Sequence, residues 1–117
     1  MIHDKYFENI VRAMNGEQFD LVVDAAFSEE TGLSPSDEEL VAEYDRTNAT
    51  TRRVDGNTVA YDVTRSGSNA SIDGDDVNTV ALIDSENVIN LSVGLTGITH
   101  TQDFDLNITG RVEFVRG

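Results

Sequence analysis

The stretch Phe104–Phe114, FDLNITGRVEF, decides the fold class. Phe104, Leu106, Ile108, Gly110, Val112 and Phe114 fall on one side of an extended chain, and Asp105, Asn107, Thr109, Arg111 and Glu113 fall on the other. One dry and one wet face at a period of two is the pattern of a half-buried strand, because successive side chains of an extended backbone point to opposite faces. Upstream, VINLSVGL alternates Ile89, Leu91, Val93 and Leu95, and TGITHTQD links it to the last strand. VNTVALID is a further short strand, closed by Asp84-Ser85-Glu86-Asn87. TNATTRRV and NTVAYDVTRS flank Asp55-Gly56, a two-residue hairpin signal, and Val59, Tyr61 and Val63 mark the apolar side of the second arm. FDLVVDAAF, from Phe19 to Phe27, is apolar without alternation, which suits a strand buried on both faces. Short strands separated by turn residues at intervals of about 8–12 positions predict a mainly β protein, an antiparallel β-sandwich.

Two segments break the β pattern. Residues Asp4 to Met14 carry Phe7, Ile10, Val11 and Met14 at the i, i+3, i+4, i+7 spacing of an amphipathic helix. Asp4 is the expected N-cap, and Asn15-Gly16 the expected stop. The apolar stripe has two readings: docking on the domain's own core, the ordinary source of stability for a short helix, or helix packing between subunits. After the first strand, Ser36-Asp37-Glu38-Glu39 fits a capping box and predicts one short helix or turn with Leu40 and Val41 buried. The chain of 117 residues reads as a single domain, with the N-terminal helix in 1–16 and the β-sandwich in 17–117.

Charge is the strongest compositional feature. Asp and Glu number 22 against 8 Lys and Arg, for a net charge of −14, and Lys5 is the sole lysine. No basic stripe exists to displace counterions, so no nucleic-acid partner is expected, and anionic membrane surfaces are opposed for the same reason. No apolar run approaches a membrane span, and the segment after Met1 lacks the uninterrupted apolar run of a secretory leader. With no cysteine, neither disulfides nor thiolate metal sites can form. Molar salt shortens the Debye length to ~3 Å, which lets a folded chain tolerate such self-repulsion. The acidic composition, with Arg in place of Lys, resembles that of proteins from extreme halophiles, especially halophilic archaea.

Motifs of chemistry are sparse. No phosphate loop, dinucleotide fingerprint or nucleophile elbow occurs, so no enzyme activity and no cofactor are expected. His3 and His100 lack a metal-site spacing and read as solvated. Asp73, Asp75 and Asp76 form the densest carboxylate cluster and are weak metal candidates; Val77 falls where an EF-hand needs a ligand, which favours a solvated acidic loop. The triplets at Asn48, Asn69, Asn90 and Asn107 match the glycosylation acceptor pattern, read here as incidental, with Asn90 and Asn107 expected on wet faces. Arg46, Arg52, Arg53 and Arg65 cluster on the hairpin region and suit either subunit contacts or local pairing with carboxylates.

The order of these pieces resembles small β-sandwich modules of tailed-virus tails, baseplates and virion appendages. The resemblance runs through ENIVRAMNG, FDLVVDAAFSEETGL, SDEELVAEYDR (Ser36–Arg46), GNTVAYDVTRSGSNASI, VNTVALIDSENVINLSVGL and FDLNITGRVEF. It departs at the acidic FSEETG, where glycine-rich text is usual. The resemblance implies a structural subunit without catalytic residues that binds copies of itself and other virion proteins, assembled in the host cytoplasm into the virion. A halophilic host would then make it part of a tailed archaeal virus. Phe7, Ile10, Val11 and Met14 on the helix, with Arg46, Arg52 and Arg53, are the interface candidates. The alternative function on the same fold is a glycan- or calcium-binding module.

Overall fold

A computed structural model describes residues 1–68 and 72–116. The chain forms helix α1 (Asp4–Met14) and strands β1 (Val22–Ser28), β2 (Glu43–Arg53), β3 (Thr58–Arg65), β4 (Asp75–Asp76), β5 (Thr79–Asp84), β6 (Ile89–Gly94), β7 (Thr99–His100) and β8 (Leu106–Glu113). Six strands make one antiparallel sheet in the order β6-β5-β1-β2-β3-β8, and β4 pairs with β7 in a small second sheet. The fold is the expected mainly β, sandwich-like architecture with a short N-terminal helix.

The sheet closes over itself at β2. The first part of this long strand pairs with β1 as far as Asn48, and the second part pairs with β3 from Ala49 onward. Side chains from both halves meet in one core: Ala25, Phe27, Val80, Leu82 and Leu91 from the first, Ala49, Tyr61, Val63 and Val112 from the second. A smaller cluster of Ala26, Leu40, Ala81, Ile83 and Ile89, with Leu33, lies on the opposite face of β1, β5 and β6, beneath residues 29–42. Burial on both faces accounts for the unbroken apolar runs of β1 and β5, since every residue of β5 is buried. Within β8 the register is as read: Leu106, Ile108 and Val112 turn inward while Asn107, Thr109, Arg111 and Glu113 are exposed; Phe104 and Phe114, expected on the dry face, lie outside the strand and are exposed.

Several local expectations are corrected. His3, not Asp4, occupies the N-cap of α1, in extended conformation. The C-terminus ends as expected: Gly16 adopts φ +70°, and the Glu17 and Gly16 amides donate to the Arg12 and Ala13 carbonyls, a Schellman closure. Phe19 and Leu21 lie outside β1 and are exposed. Of the short helix or turn expected after β1, the turn forms, without the capping box. Pro35 and Ser36 occupy a turn in which the Asp37 amide donates to the Ser34 carbonyl and the Ser34 amide to Asp37 Oδ2, so Asp37 serves the turn and not a capping box. Leu40 is buried there but Val41 is 92% exposed. The β2–β3 hairpin forms, with a loop of Asp55-Gly56-Asn57 in place of a two-residue turn. Val54 donates to Thr58, Asp55 Oδ1 accepts from the Asn57 amide, and Gly56 stays out of the left-handed region. At Gly67 a Cβ would overlap the Phe104 carbonyl, so only glycine allows that close approach.

Candidate functional site

The helix is docked by its polar side. Lys5, Tyr6 and Asn9 are its buried residues. Lys5 Nζ donates to Glu86 at 2.9 Å and lies 3.3 Å from Asp20 and 4.0 Å from Asp84. Burial opposes the ammonium charge, but these acidic partners outweigh it and hold the Lys5 pKa above its ordinary value. Asn9 Nδ2 donates to Asn90 Oδ1 at 3.0 Å and to Asp84 at 3.3 Å, while its Oδ1 accepts from the Asp20 amide. Tyr6 and Tyr61 share a hydroxyl hydrogen bond of 2.9 Å with edge-to-face rings, and burial raises the Tyr61 phenol well above the usual tyrosine value. His3, fully buried, donates from Nδ1 to the Asp37 carbonyl and accepts the Ser92 hydroxyl at Nε2 over 2.7 Å. Residues 1–3 run antiparallel along β6, with His3 donating to Asn90 and Ser92 to Met1, which covers that sheet edge.

The consequence is an apolar stripe turned outward. Phe7 is 55% exposed, Val11 63% and Met14 83%; of the four candidates Ile10 alone is half-buried against the core. Docking of the whole stripe on the domain's own core is therefore corrected: the polar contacts of Lys5 and Asn9 set the helix's rotation. Beside the stripe, Tyr6, Asn9, Ile10 and Ala13 form the helical wall of a cleft of ≈ 150 Å³, with exposed Phe19 and Leu21 among its other lining residues.

A second polar centre lies at the β4–β7 end. Arg65, 1% exposed, bonds Asp45 through Nε at 2.8 Å, Asp75 through Nη2 at 2.7 Å and His100 Nδ1 through Nη1 at 3.0 Å. Its guanidinium stacks 5.4 Å from the Phe27 ring centre and 5.3 Å from that of Tyr44. Burial works against this charge, and the hydrogen bonds to Asp45 and Asp75 more than offset it, so the pKa is raised. Burial pushes the Tyr44 phenol up to about 12 against the opposing pull of Arg65. His100 is fully buried; its Nδ1 accepts a hydrogen bond from Arg65 Nη1 and its Nε2 donates to the Phe104 carbonyl at 2.8 Å, an arrangement that assigns the ring hydrogen to Nε2. Both histidines are thus structural, not solvated.

The acidic loop is divided among other tasks. Asp75 serves Arg65, Asp76 Oδ1 accepts from Thr99, and Asp73 is exposed. Among the described residues no group of three or more His, Asp or Glu side chains is arranged to hold a metal ion. Arg52 pairs with Asp62 across the hairpin and Arg53 with the Asp55 carbonyl, whereas Arg46 pairs with Glu43 beside it and also reaches Asn87 and Asp24 outside the hairpin. Asn90 is buried, not on a wet face; Asn107 is exposed, and Asn69 lies outside the described residues. The sequence reading missed Lys5, Asn9 and the two histidines. The available signal was four polar residues flanking apolar segments, which does not distinguish a buried network from a surface. No protein-family model matches this chain, and no match was found among the curated proteins or the solved structures.

Proposed function

We propose that this chain is a non-enzymatic structural subunit of a virus particle of a halophilic host, working through contacts with copies of itself and with other virion proteins. Its place is the tail, the baseplate or the capsid surface. The observation that carries this reading is the outward apolar stripe Phe7–Val11–Met14. A helix held by a buried ammonium, an asparagine network and a tyrosine pair, with its apolar side facing out, is oriented for a partner and not for its own core. The net charge of −14 supports the halophilic part of the reading, because copies of so acidic a chain approach one another readily only where salt screens them. The order of the sequence elements supports the viral part.

The test is the absolute mass by light scattering in multimolar KCl. The expected result is a discrete oligomer, an integer multiple of the 12.8 kDa chain. A strict monomer at high protein concentration would overturn the self-associating role.

A further inference from the structure

We propose that α1 pairs with α1 of a second copy, antiparallel about a two-fold axis beside Val11, so that Phe7 of each chain packs on Met14 of the other. This identifies the face used by the self-association proposed above and rests on it. The stripe is nearly symmetric about its centre: Phe7 precedes Val11 by four residues and Met14 follows it by three. At 1.5 Å per residue the two ends lie ~6 and ~4.5 Å from Val11 along the axis. Turning one copy over therefore superposes the large residues, Phe7 on Met14 and Val11 on the Ile10–Val11 step. The arrangement brings a thioether to an aromatic ring, a favourable contact, and sets the two helix dipoles head to tail. A parallel pairing would place like dipole ends together.

Area points to the same occupant. Phe7, Val11, Met14, Phe19 and Leu21 are between 43 and 83% exposed. At roughly 150 Å² for a fully exposed side chain of this size they present about 460 Å² per chain; a two-fold contact covers it twice, about 900 Å², the size of a weak, reversible interface that flanking residues bring toward the lower specific range. No charged residue lies within the stripe. Glu8 and Arg12 are paired with each other on another flank of the helix, and Asp4 and Glu17 stand at its two ends. Those end carboxylates come close across the axis, so the pairing strengthens with salt.

The absence of cysteine makes the geometry directly testable. Val11→Cys is expected to give a covalent dimer on mild oxidation in multimolar KCl, because residues on the axis come within disulfide reach. Phe7→Cys and Met14→Cys are expected to cross-link poorly alone and efficiently when mixed. Val41→Cys, at an exposed site away from α1, measures random collision. In parallel, Val11→Asp is expected to shift the light-scattering mass downward with an unchanged far-ultraviolet circular dichroism spectrum, since Val11 is 63% exposed within its own chain; any fall in melting point should be the loss of dimer stabilisation, which depends on protein concentration. Cross-linking at Val11 no better than at Val41, or an unchanged mass for Val11→Asp, overturns this pairing. If the unmodified chain is still an oligomer in that case, self-association survives on another face; if it is a monomer, both proposals fall.

Discussion

Arg65 and Lys5 are each sunk among carboxylates, and each has a buried histidine close by, yet they hold the molecule differently. Arg65 is 1% exposed, engages three partners with three different nitrogens and is stacked between Phe27 and Tyr44. It ties β3 to β2, β4 and β7 inside the body of the sheet. Lys5 is a point charge whose nearest partner, Glu86, is 54% exposed, and it ties α1 to the β5–β6 turn and to Asp20 in the segment before β1. The planar fork of arginine suits a closed, directional site, whereas an ammonium tolerates a looser, half-wet one. The first centre is therefore part of the fold's foundation. The second fixes which way the helix faces, and so what the molecule offers to a partner.

The sharpest way to break this contrast is to remove each cation in turn. Arg65→Met leaves Asp45 and Asp75 close together without their shared counter-charge, and His100 without its donor. Breaking a buried ion pair from one side typically costs about 3–5 kcal/mol, and a global loss of that size in urea unfolding is the expected result. A loss below about 1 kcal/mol would show that the centre is not the structural anchor its burial implies.

Lys5→Met should have a smaller and more local effect, about 1–2 kcal/mol, because its nearest partner, Glu86, is half-exposed, and the buried Asp84 keeps its hydrogen bonds from Asn9 and Asn90. Hydrogen exchange is the discriminating measurement. Protection should fall in α1 and residues 1–3 while β1, β5 and β3 keep theirs. The penalty should also shrink in multimolar KCl, where ion pairs open to solvent are screened, while that of Arg65→Met stays constant. Equal exchange in helix and strands would mean that α1 unfolds only with the whole domain.

The same contrast separates what the sequence discloses from what it conceals. Strands whose faces differ, such as β8, are legible because a period of two is a local property. So are strands buried on both faces, such as β5, whose apolar run needs no partner to be recognised. The extent of α1 was equally plain from its spacing and its Asn15-Gly16 stop. Its orientation was not, because an apolar stripe ordinarily faces a core. Here Lys5 and Asn9 meet Asp84, Glu86 and Asn90, some 75 to 81 residues away in the chain, and together they fix the rotation. Arg65 was hidden for the same reason: an arginine ending a hairpin arm looks like its exposed neighbours Arg52 and Arg53 until β4 and β7 close over it. The turn after β1 was legible but its capping box was not, because Ser-x-x-Glu also occurs where Pro35 initiates a turn and Asp37 closes it.

The smallest expected effect comes from His3 and tests the helix end of the contrast. Burial holds its imidazole below the ordinary histidine value, against the opposing pull of the Asp37 carbonyl. A lowered folded pKa means that the unfolded chain takes up the proton first. The stabilisation from His3 is therefore complete above the unfolded value of about 6.5, and it is lost progressively as pH falls from there through the folded value. His3→Asn can keep a donor toward the Asp37 carbonyl but cannot titrate. Urea midpoints in multimolar KCl, where general charge repulsion is screened, should decline for the natural chain as pH drops below about 6.5 and should be flatter for the variant. The difference should stay below about 1 kcal/mol, because the Ser92 hydroxyl can rotate from donating to accepting and so retains a hydrogen bond to the protonated ring. Identical slopes in the two chains would mean that the His3 latch opens without cost, and that Lys5 and Asn9 alone hold the helix in place.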